Sequence, residues 1–574
     1  MKKSLTVQSS ECLVGLLRRF FIMIRFLLGL TFFASCAVAE SSRPNILLVL
    51  ADDLGYSDLG CFGGEIETPN LDALARDGLR YTSFYNSARC CPSRASLISG
   101  LYPHQTGIGS FVRKDKKPPK GFGPAYQGFL NDRCVTIAEV LKASGYSTWM
   151  SGKWHMGSDP GPVDRGFDQF FGYTQAHSHS QWDAGFYKRL PESSDPELQY
   201  GDGEFYATDV FTDYALEFLD QAREDEGKPW FLYLAHSSPH FPVQAPTKLV
   251  DKYMATYRKG WDRLREERLD RMIAGDLVAL DTKLPPRAMV PVDRDDIANG
   301  YPGQPNPAWN SLPGNRREDL ARRMAIFAAS VEHIDRGVGE IVANLKANGE
   351  FENTLILFTS DNGACYEWGP FGFDGTSRRG VTTLHEGEAL RTMGLADSHH
   401  SYGSAWANLG NTPLSLYKHF CHEGGITSPL IAHWPEGIDA SNEIRTDSTH
   451  VMDLMPTIVE ATSSEYPKRF SGQSIQPMEG VSLLSSFRGE AQEQRAIGFE
   501  HQFARGFRKG NWKIAWGKKM PEEATWELYD LSKDRTEQNN LAKSHPEITE
   551  ALAAEWIDWA ARLGVQISSP TVKN

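Results

Sequence analysis

The stretch Cys90-Cys91-Pro92-Ser93-Arg94 sets a thiol two residues before a proline and four before an arginine, and runs on to Gly100. Proline loses no hydrogen bond in the first turn of a helix, and glycine ends one, so the run reads as a short helix beginning at Cys90. A thiol there meets orphan backbone N–H groups and the positive end of the helix dipole. Both lower its pKa and favour a bound anion such as sulfate or phosphate. Arg94, one turn on, can point the same way. Asp52-Asp53 and Asp361-Asn362 offer only hard oxygen donors, which suit Ca²⁺, with Mg²⁺ second, and not a zinc site of His or Cys ligands. Lys153 and His155, two apart, His240 between two prolines, and Lys418 add cations and imidazoles. Taken singly, such residues are usually a solvated lysine or a structural histidine.

What makes them a set is where they fall. Asn45 to Leu50 is a continuous apolar run, the pattern of a strand buried on both faces, and it empties into Asp52-Asp53. Two adjacent acids converge only where the chain turns beyond a strand end. Tyr146 to Met150 runs into Ser151-Gly152-Lys153-Trp154-His155, and Pro229 to Leu234 into the loop that carries His240. Thr354 to Thr359 releases Ser360-Asp361-Asn362-Gly363, and Lys418 precedes Glu423-Gly424-Gly425 and a strand at 429–435. Helical spacing is found at Thr68–Ala75, Thr136–Lys142, 207–223 and Glu318–Lys346. Alternating buried strands and helices give an α/β fold, a large central sheet flanked by helices on both faces, in which ligands gather at strand ends. Residues 252–315 read as an insertion over the core with one helix, Trp261–Met272. Beyond 466 the texture changes to short strands, Gly506–Trp516 and Trp526–Leu531, and a closing helix, Pro546–Leu563. This predicts a principal domain at 43–465 and a smaller antiparallel α+β unit at 466–574.

The 574 residues, 40% apolar and 23% charged, are enough for a large core. A formal charge of −13 argues against a nucleic-acid partner, and any anionic substrate must be captured by local cations. Arg18, Arg19 and Arg25, then the apolar run Phe26–Ala34 and the small residues Ala37-Val38-Ala39, read as an export signal over 1–39, with Met23 a candidate true start. A periplasmic or secreted location follows, and a lipid anchor on Cys36 is a second reading. A retained membrane span needs about 20 apolar residues, more than this run supplies, so the mature chain is expected to hold no integral membrane segment. Six cysteines remain after cleavage, without a CxxC pair or zinc-ligand spacing.

Cys90-x-Pro92-Ser93-Arg94, followed by Ala95-Ser96-Leu97-Ile98-Ser99-Gly100-Leu101-Tyr102-Pro103, resembles the signature of type I sulfatases, in which the first cysteine is oxidised to formylglycine. The other pieces occur in that family's order, from about Arg43 to the C-terminus. By resemblance Asp52, Asp53, Asp361 and Asn362, with residue 90, would hold calcium. Lys153 and His155 match the family's Lys/His loop, His240 its substrate histidine, and Lys418 its lysine before Glu423-Gly424-Gly425. The implied fold is that of alkaline phosphatase. The implied reaction is hydrolysis of aryl or carbohydrate O-sulfate esters by hydrated formylglycine, after maturation by a formylglycine-generating enzyme. Arg94 and the metal would activate the attacking hydroxyl, with help from Asp361. Lys153 and Lys418 would neutralise the sulfate, His240 would protonate the leaving oxygen, and His155 would deprotonate the second hydroxyl so that sulfate is expelled. A formylglycine-dependent phosphonate or phosphodiester hydrolase shares the Cys-x-Pro-x-Arg stretch, but such relatives tend to carry Gln and His where this chain has Asp53 and Asn362. An inactive exported protein that binds sulfated glycans is a third reading, disfavoured because every catalytic position is filled. Trp368, Tyr402, Trp406, His177, His179 and Trp182 are candidates for the mouth, where they could stack on an aryl or sugar ring.

Overall fold

A run of side chains buried on both faces needs a covered sheet, and the computed structural model supplies one. The structure describes residues 43–174, 179–192, 194, 198–224, 227–375, 380–517 and 525–567. The expected export signal, Met23, Cys36 and His177 lie outside them. The central strands are β1 (Asn45–Ala51), β2 (Leu79–Tyr85), β3 (Ser147–Lys153), β4 (Gln169–Tyr173), β5 (Lys188–Leu190), β6 (Trp230–Ala235), β7 (Thr354–Ser360), β8 (Thr427–His433), β9 (Glu443–Arg445) and β10 (Thr449–His450). They lie in the order β10-β2-β8-β7-β1-β6-β3-β4-β5, with β9 also beside β2. The six strands β2, β7, β1, β6, β3 and β4 point one way, and β8 and β5 run against them, so the sheet is mixed.

Strand β1 shows why both faces are apolar. Leu47, Val49 and Ala51 enter a core that contains much of the helix Gly314–Ala347, while Ile46, Leu48 and Leu50 enter a second core containing Cys91, Ala95, Leu97 and Ile98. Alternation along a pleated strand sends successive side chains to opposite faces, so each layer of helices takes every second residue. All six are fully buried, each contributing about 1.5–3 kcal/mol of transfer free energy for its larger side chains.

The insertion carries two helices, not one: Thr247–Tyr257 precedes Trp261–Ala274. Their inner faces are apolar, and buried Arg268 reaches from the second to Asp58 at 2.8 Å and to Glu65 at 2.7 Å. The insertion thereby pins the loop that follows β1.

The described residues from Pro44 onward form one compact unit. The short strands β11 (Arg469–Phe470) and β12 (Gln473–Ser474) pair with each other. Tyr466, Phe470, Leu483 and Phe487 pack on the second core of the main sheet. A separate antiparallel sheet begins at β13 (Ile497–His501) and continues through β14 (Ala504–Lys509), β15 (Trp512–Trp516) and β16 (Glu527–Asp530), covered by the helix Pro546–Leu563. The run expected at Gly506–Trp516 is a hairpin, β14 and β15, broken at Gly510 with φ +59°. Among the described residues no helix is long and apolar enough to cross a membrane.

Candidate active site

Strand register brings the acids together. Ala51 of β1 pairs with Ser360 of β7 in parallel, so the next residues, Asp52 and Asp361, leave the sheet side by side. The Asp361 N–H donates to Ala51 O at 3.2 Å, and the Asp53 N–H donates to Asp361 Oδ1 at 3.3 Å. On the other side of β1, β6 ends at Ala235 and delivers the His240 loop, and β3 ends at Lys153. Strand β2 runs in the same direction and leads to Cys90, whereas β8 runs against it, so the Lys418 segment that precedes β8 reaches the same edge. The crevice beyond the carboxyl ends of parallel strands is the expected ligand site of such sheets.

Gly152 makes the delivery of Lys153 possible. With φ +115°, an added Cβ would lie 1.9 Å from Ala235 O, so only glycine lets β3 close on β6 here. Asp53, Ala88, His155 and His419 also adopt positive φ without being glycine. Left-handed backbone is costly for such residues and concentrates where surroundings over-determine it, as at functional sites.

Three buried carboxylates face three buried cations. Lys153 Nζ contacts Asp52 Oδ2, Lys418 Nζ is 2.6 Å from Asp53 Oδ1, and Arg94 Nε is 2.8 Å from Asp361 Oδ2. Asn362 Nδ2 donates to Asp53 Oδ1 at 2.7 Å, and Arg94 Nη1 donates to Lys153 O at 2.6 Å. Burial raises the pKa of Asp53 to about 6 even against Lys418, with Asp52 adding to the rise, and burial beside Asp52 lifts Asp361 well above the ordinary range. Asp52 Oδ1, Asp53 Oδ2 and Asn362 Oδ1 are nevertheless buried without a hydrogen-bond donor. Orphaned oxygens of this kind are costly unless a cation takes them. Ligand atoms of Asp52, Asp53 and His240 lie within 4.8 Å of one another. The donor set is therefore one a hard divalent cation fits.

Cys90 is the first residue of the helix Cys90–Ser99, all of whose residues are buried, so its backbone N–H is one of the orphan donors. Burial pushes its thiol up, but the hydrogen bond from Cys91, the neighbouring His155 and the charges of Lys153 and Lys418 outweigh burial and hold it well below the ordinary thiol range. Residue 90 thus sits where negative charge is stabilised. Burial, with Lys153 adding to it, drives His155 down to about 4, so its imidazole is neutral near pH 7. His240 Nδ1 donates to Phe241 O at 2.6 Å, which leaves Nε2 facing Asp53 Oδ2 at 3.5 Å. Every residue singled out for chemistry, Asp52, Asp53, Cys90, Arg94, Lys153, His155, His240, Asp361, Asn362 and Lys418, is buried in this one crevice.

The expected mouth is only partly there. Trp406 is fully buried, donates from Nε1 to Leu320 O at 2.8 Å and packs edge-on against Trp261. Tyr402 is equally interior: its hydroxyl accepts the Cys365 N–H at 3.1 Å, and its ring lies against Phe327. Trp182 donates to Gly394 O and packs on Tyr206. Trp406 and Trp182 are fastened to backbone carbonyls and Tyr402 to a backbone N–H, and all three pack on aromatic neighbours, where burial of a large apolar area outweighs exposure. His179 does face the site, stacked on Tyr173 with its ring centroid 6.1 Å from that of His240, and Trp368 packs beside Phe241. Sequence reasoning missed a neighbouring chain of polar groups in which His419 Nε2 is 2.8 Å from Glu367 Oε1 and His419 Nδ1 is 3.1 Å from His501 Nε2. The only signal for it was the position of His419 next to Lys418. Arg89, immediately before Cys90, was likewise missed.

The chain is similar to known proteins in sequence and in fold. The sequence model of the sulfatase family matches residues 44–464, and that of the N-sulphoglucosamine sulphohydrolase C-terminal region matches residues 415–559. An uncharacterized sulfatase of Schizosaccharomyces pombe is 34% identical over 553 residues, covering 92% of this chain and 95% of its own. An arylsulfatase of Klebsiella aerogenes is 30% identical over 466 residues, covering 80% of this chain and 95% of its own. The crystal structure of Ps i-CgsB in complex with a neocarrahexaose superposes with a TM-score of 0.61 at 24% identity, covering 92% of this chain and 94% of that one, and shares its fold.

Proposed function

The chain belongs to the sulfatase family, whose members hydrolyse sulfate esters, and from that premise we propose that it is a calcium-dependent, formylglycine-bearing hydrolase of aryl or carbohydrate O-sulfate esters. The observation that carries the proposal is the buried cradle itself: three donor-less oxygens on Asp52, Asp53 and Asn362 beside residue 90, the first residue of a buried helix. Calcium on Asp52, Asp53, Asp361 and Asn362 would supply a Lewis acid, and formylglycine at residue 90 a geminal diol that can attack sulfur and then release sulfate by elimination.

The chain's own residues divide the remaining work. Lys153 and Lys418 bind and neutralise sulfate oxygens. Arg94, fixed by Asp361 and by Lys153 O, orients the start of the Cys90 helix. Neutral His155, within 4.8 Å of the residue 90 side chain, is placed to take a proton from it. Burial and the two lysines hold His240 well below its ordinary range, so its Nε2 acquires the proton it gives the leaving oxygen only when the anionic substrate offsets those charges. The carbohydrate part of the reading is supported by the match of residues 415–559 to the C-terminal region of an N-sulphoglucosamine sulphohydrolase. Maturation by a formylglycine-generating enzyme and export through residues 1–39 belong to the same proposal.

The test is hydrolysis of 4-nitrophenyl sulfate, bis(4-nitrophenyl) phosphate and an aryl phosphonate monoester by protein co-expressed with a formylglycine-generating enzyme, with residue 90 checked by mass. Sulfate release should dominate, vanish in Cys90→Ala, and stop after one turnover with a covalently sulfated residue in Cys90→Ser. Dominant phosphonate or diester cleavage, or steady turnover by Cys90→Ser, would overturn the reading. Residue 1 of the exported protein, read by N-terminal sequencing, should be Glu40.

A further inference from the structure

A buried guanidinium is expensive unless it donates to something. Among the described residues the other buried arginines do so: Arg94 to Asp361, Arg165 to Glu139, Arg268 to Asp58 and Glu65, Arg323 to Asp319 and Ser401 O. Arg89, only 4% exposed, makes no side-chain hydrogen bond within the described residues, and its Nε is sealed from solvent without an acceptor. What it has instead is the face of Phe111, whose ring centroid lies 4.1 Å from its Cζ. Phe111 is part-exposed and meets the ring of His501, so the guanidinium lies on the rim that the C-terminal sheet closes. Its electrostatic neighbours are Cys90, Glu367, Cys91 and Asp53. Of these, Glu367 is engaged by His419, and Asp53 by Lys418 and Asn362.

Arg89 is thus a planar, fixed cation one residue from the reacting position, and no acceptor among the described residues uses it. Lys153 and Lys418 already stand over Asp52 and Asp53, on the inner side, where the reacting sulfate is to be neutralised. We propose that Arg89 is a specificity-determining residue that binds a second anionic substituent, a sulfate or a carboxylate, on the leaving group, so that the enzyme selects sulfate esters bearing two negative groups. The proposal rests on the sulfatase reading above and adds the substrate class. A guanidinium suits the purpose because its fork matches either oxyanion bidentately, and stacking on Phe111 fixes its plane.

The experiment uses fully converted enzyme, with formylglycine content and thermal melting verified for every variant. The substrates are 4-nitrophenyl sulfates carrying, ortho to the sulfate ester, a carboxylate, its neutral methyl ester or a second sulfate. The quantity read is the ratio of kcat/KM for each anionic substrate to that for the methyl ester. Comparing this ratio between wild type and variant cancels the intrinsic reactivity of the substrates and any general loss of activity. In Arg89→Met the ratio should fall by about tenfold or more relative to wild type, the scale of one charge-assisted hydrogen bond. Arg89→Lys should retain part of it. The wild-type ratio should fall as salt is raised from 0.05 to 0.5 M, and that of Arg89→Met should hardly respond. A fall with the carboxylate but not the sulfate, or the reverse, identifies which anion is preferred and supports the site. A ratio unchanged in Arg89→Met for both anions overturns it. Failure of the underlying sulfatase reading would look different: no sulfate release from any substrate by converted wild-type enzyme.

Discussion

Replacing Lys513 by methionine isolates the contact through which the C-terminal sheet holds the Lys418 segment. Lys513 Nζ lies 2.8 Å from Glu423 Oε1 and 2.8 Å from Glu537 Oε1, and all three side chains are fully buried. Glu537 also accepts the Glu423 N–H at 2.8 Å, and Tyr85 donates to Glu423 at 3.0 Å. Burial alone would raise Glu423, but Lys513, followed by Arg535 and Arg508, brings it down to about 2. Burial raises Glu537 in spite of Lys513. Methionine would leave two buried carboxylates, with Arg535 3.6 Å from Glu423 as the nearest compensation. Breaking a buried ion pair from one side costs about 3–5 kcal/mol. The sign with pH follows. In the wild type the low pKa of Glu423 adds stability that is complete above its unfolded value of 4.5 and is lost as pH falls toward 2. In the variant that pKa rises, so the deficit is greatest at pH 8 and shrinks toward pH 5 as an acid takes up a proton. Urea unfolding followed by tryptophan fluorescence at both pH values measures it, and Glu537→Gln in the Lys513→Met background should recover part of the loss. A change below about 0.5 kcal/mol at pH 8, or an equal loss at both pH values, would refute the account of Glu423 as a charge held by Lys513.

Gly152→Ala should lower the melting temperature and reduce kcat/KM by at least about tenfold, because a Cβ 1.9 Å from Ala235 O must displace β3 just where Lys153 leaves it. Unchanged activity would mean that Lys153 is not positioned by that close approach. Calcium affinity, measured by titration calorimetry, should weaken as pH falls through about 6, because a proton then competes with the cation for Asp53, and Asp53→Asn should flatten that dependence while weakening binding at neutral pH. Affinity independent of pH between 5 and 8 would remove Asp53 from the ligand set.

The convergence of Asp52, Lys153, His240 and Asp361 was legible because each follows a run whose pattern declares a buried strand, whereas Lys418 precedes one and no strand was read before Cys90. The run Asn45 to Leu50 and the run Thr354 to Thr359 each end in acid, and parallel pairing of Ala51 with Ser360 does the rest. Pairing order was not legible, because β7, β1 and β6 are equally apolar and nothing local says which neighbours which. The C-terminal hairpin was read as one strand because Trp512 to Trp516 continues the polarity of the run before it, and only the left-handed turn at Gly510 separates them. The aromatic residues failed for a different reason. Trp406 and Tyr402 lie in a segment whose glycines and histidines look loop-like, yet Trp406 meets Trp261 and Trp309, residues distant in sequence, and only tertiary contact reveals that core. Arg89 was not singled out because what marks it is the lack of an acceptor among the described residues, and a sequence does not show what an arginine fails to touch.

Charge balance ties these observations together. Asp52, Asp53 and Asp361 are matched by Lys153, Lys418 and Arg94, so the inner site is close to neutral before substrate arrives. A neutral site in a chain of formal charge −13 has no means of drawing in a sulfate ester. Positive charge must come from outside that set of six. A divalent cation held by the donor-less oxygens of Asp52, Asp53 and Asn362 would supply two units of charge, and on the proposal above Arg89 would supply one at the rim. The two act on different atoms of the substrate, which is why the calcium titration and the selectivity ratio are separate tests: loss of the cation should abolish turnover of every sulfate ester, and loss of Arg89 should change only which esters are preferred.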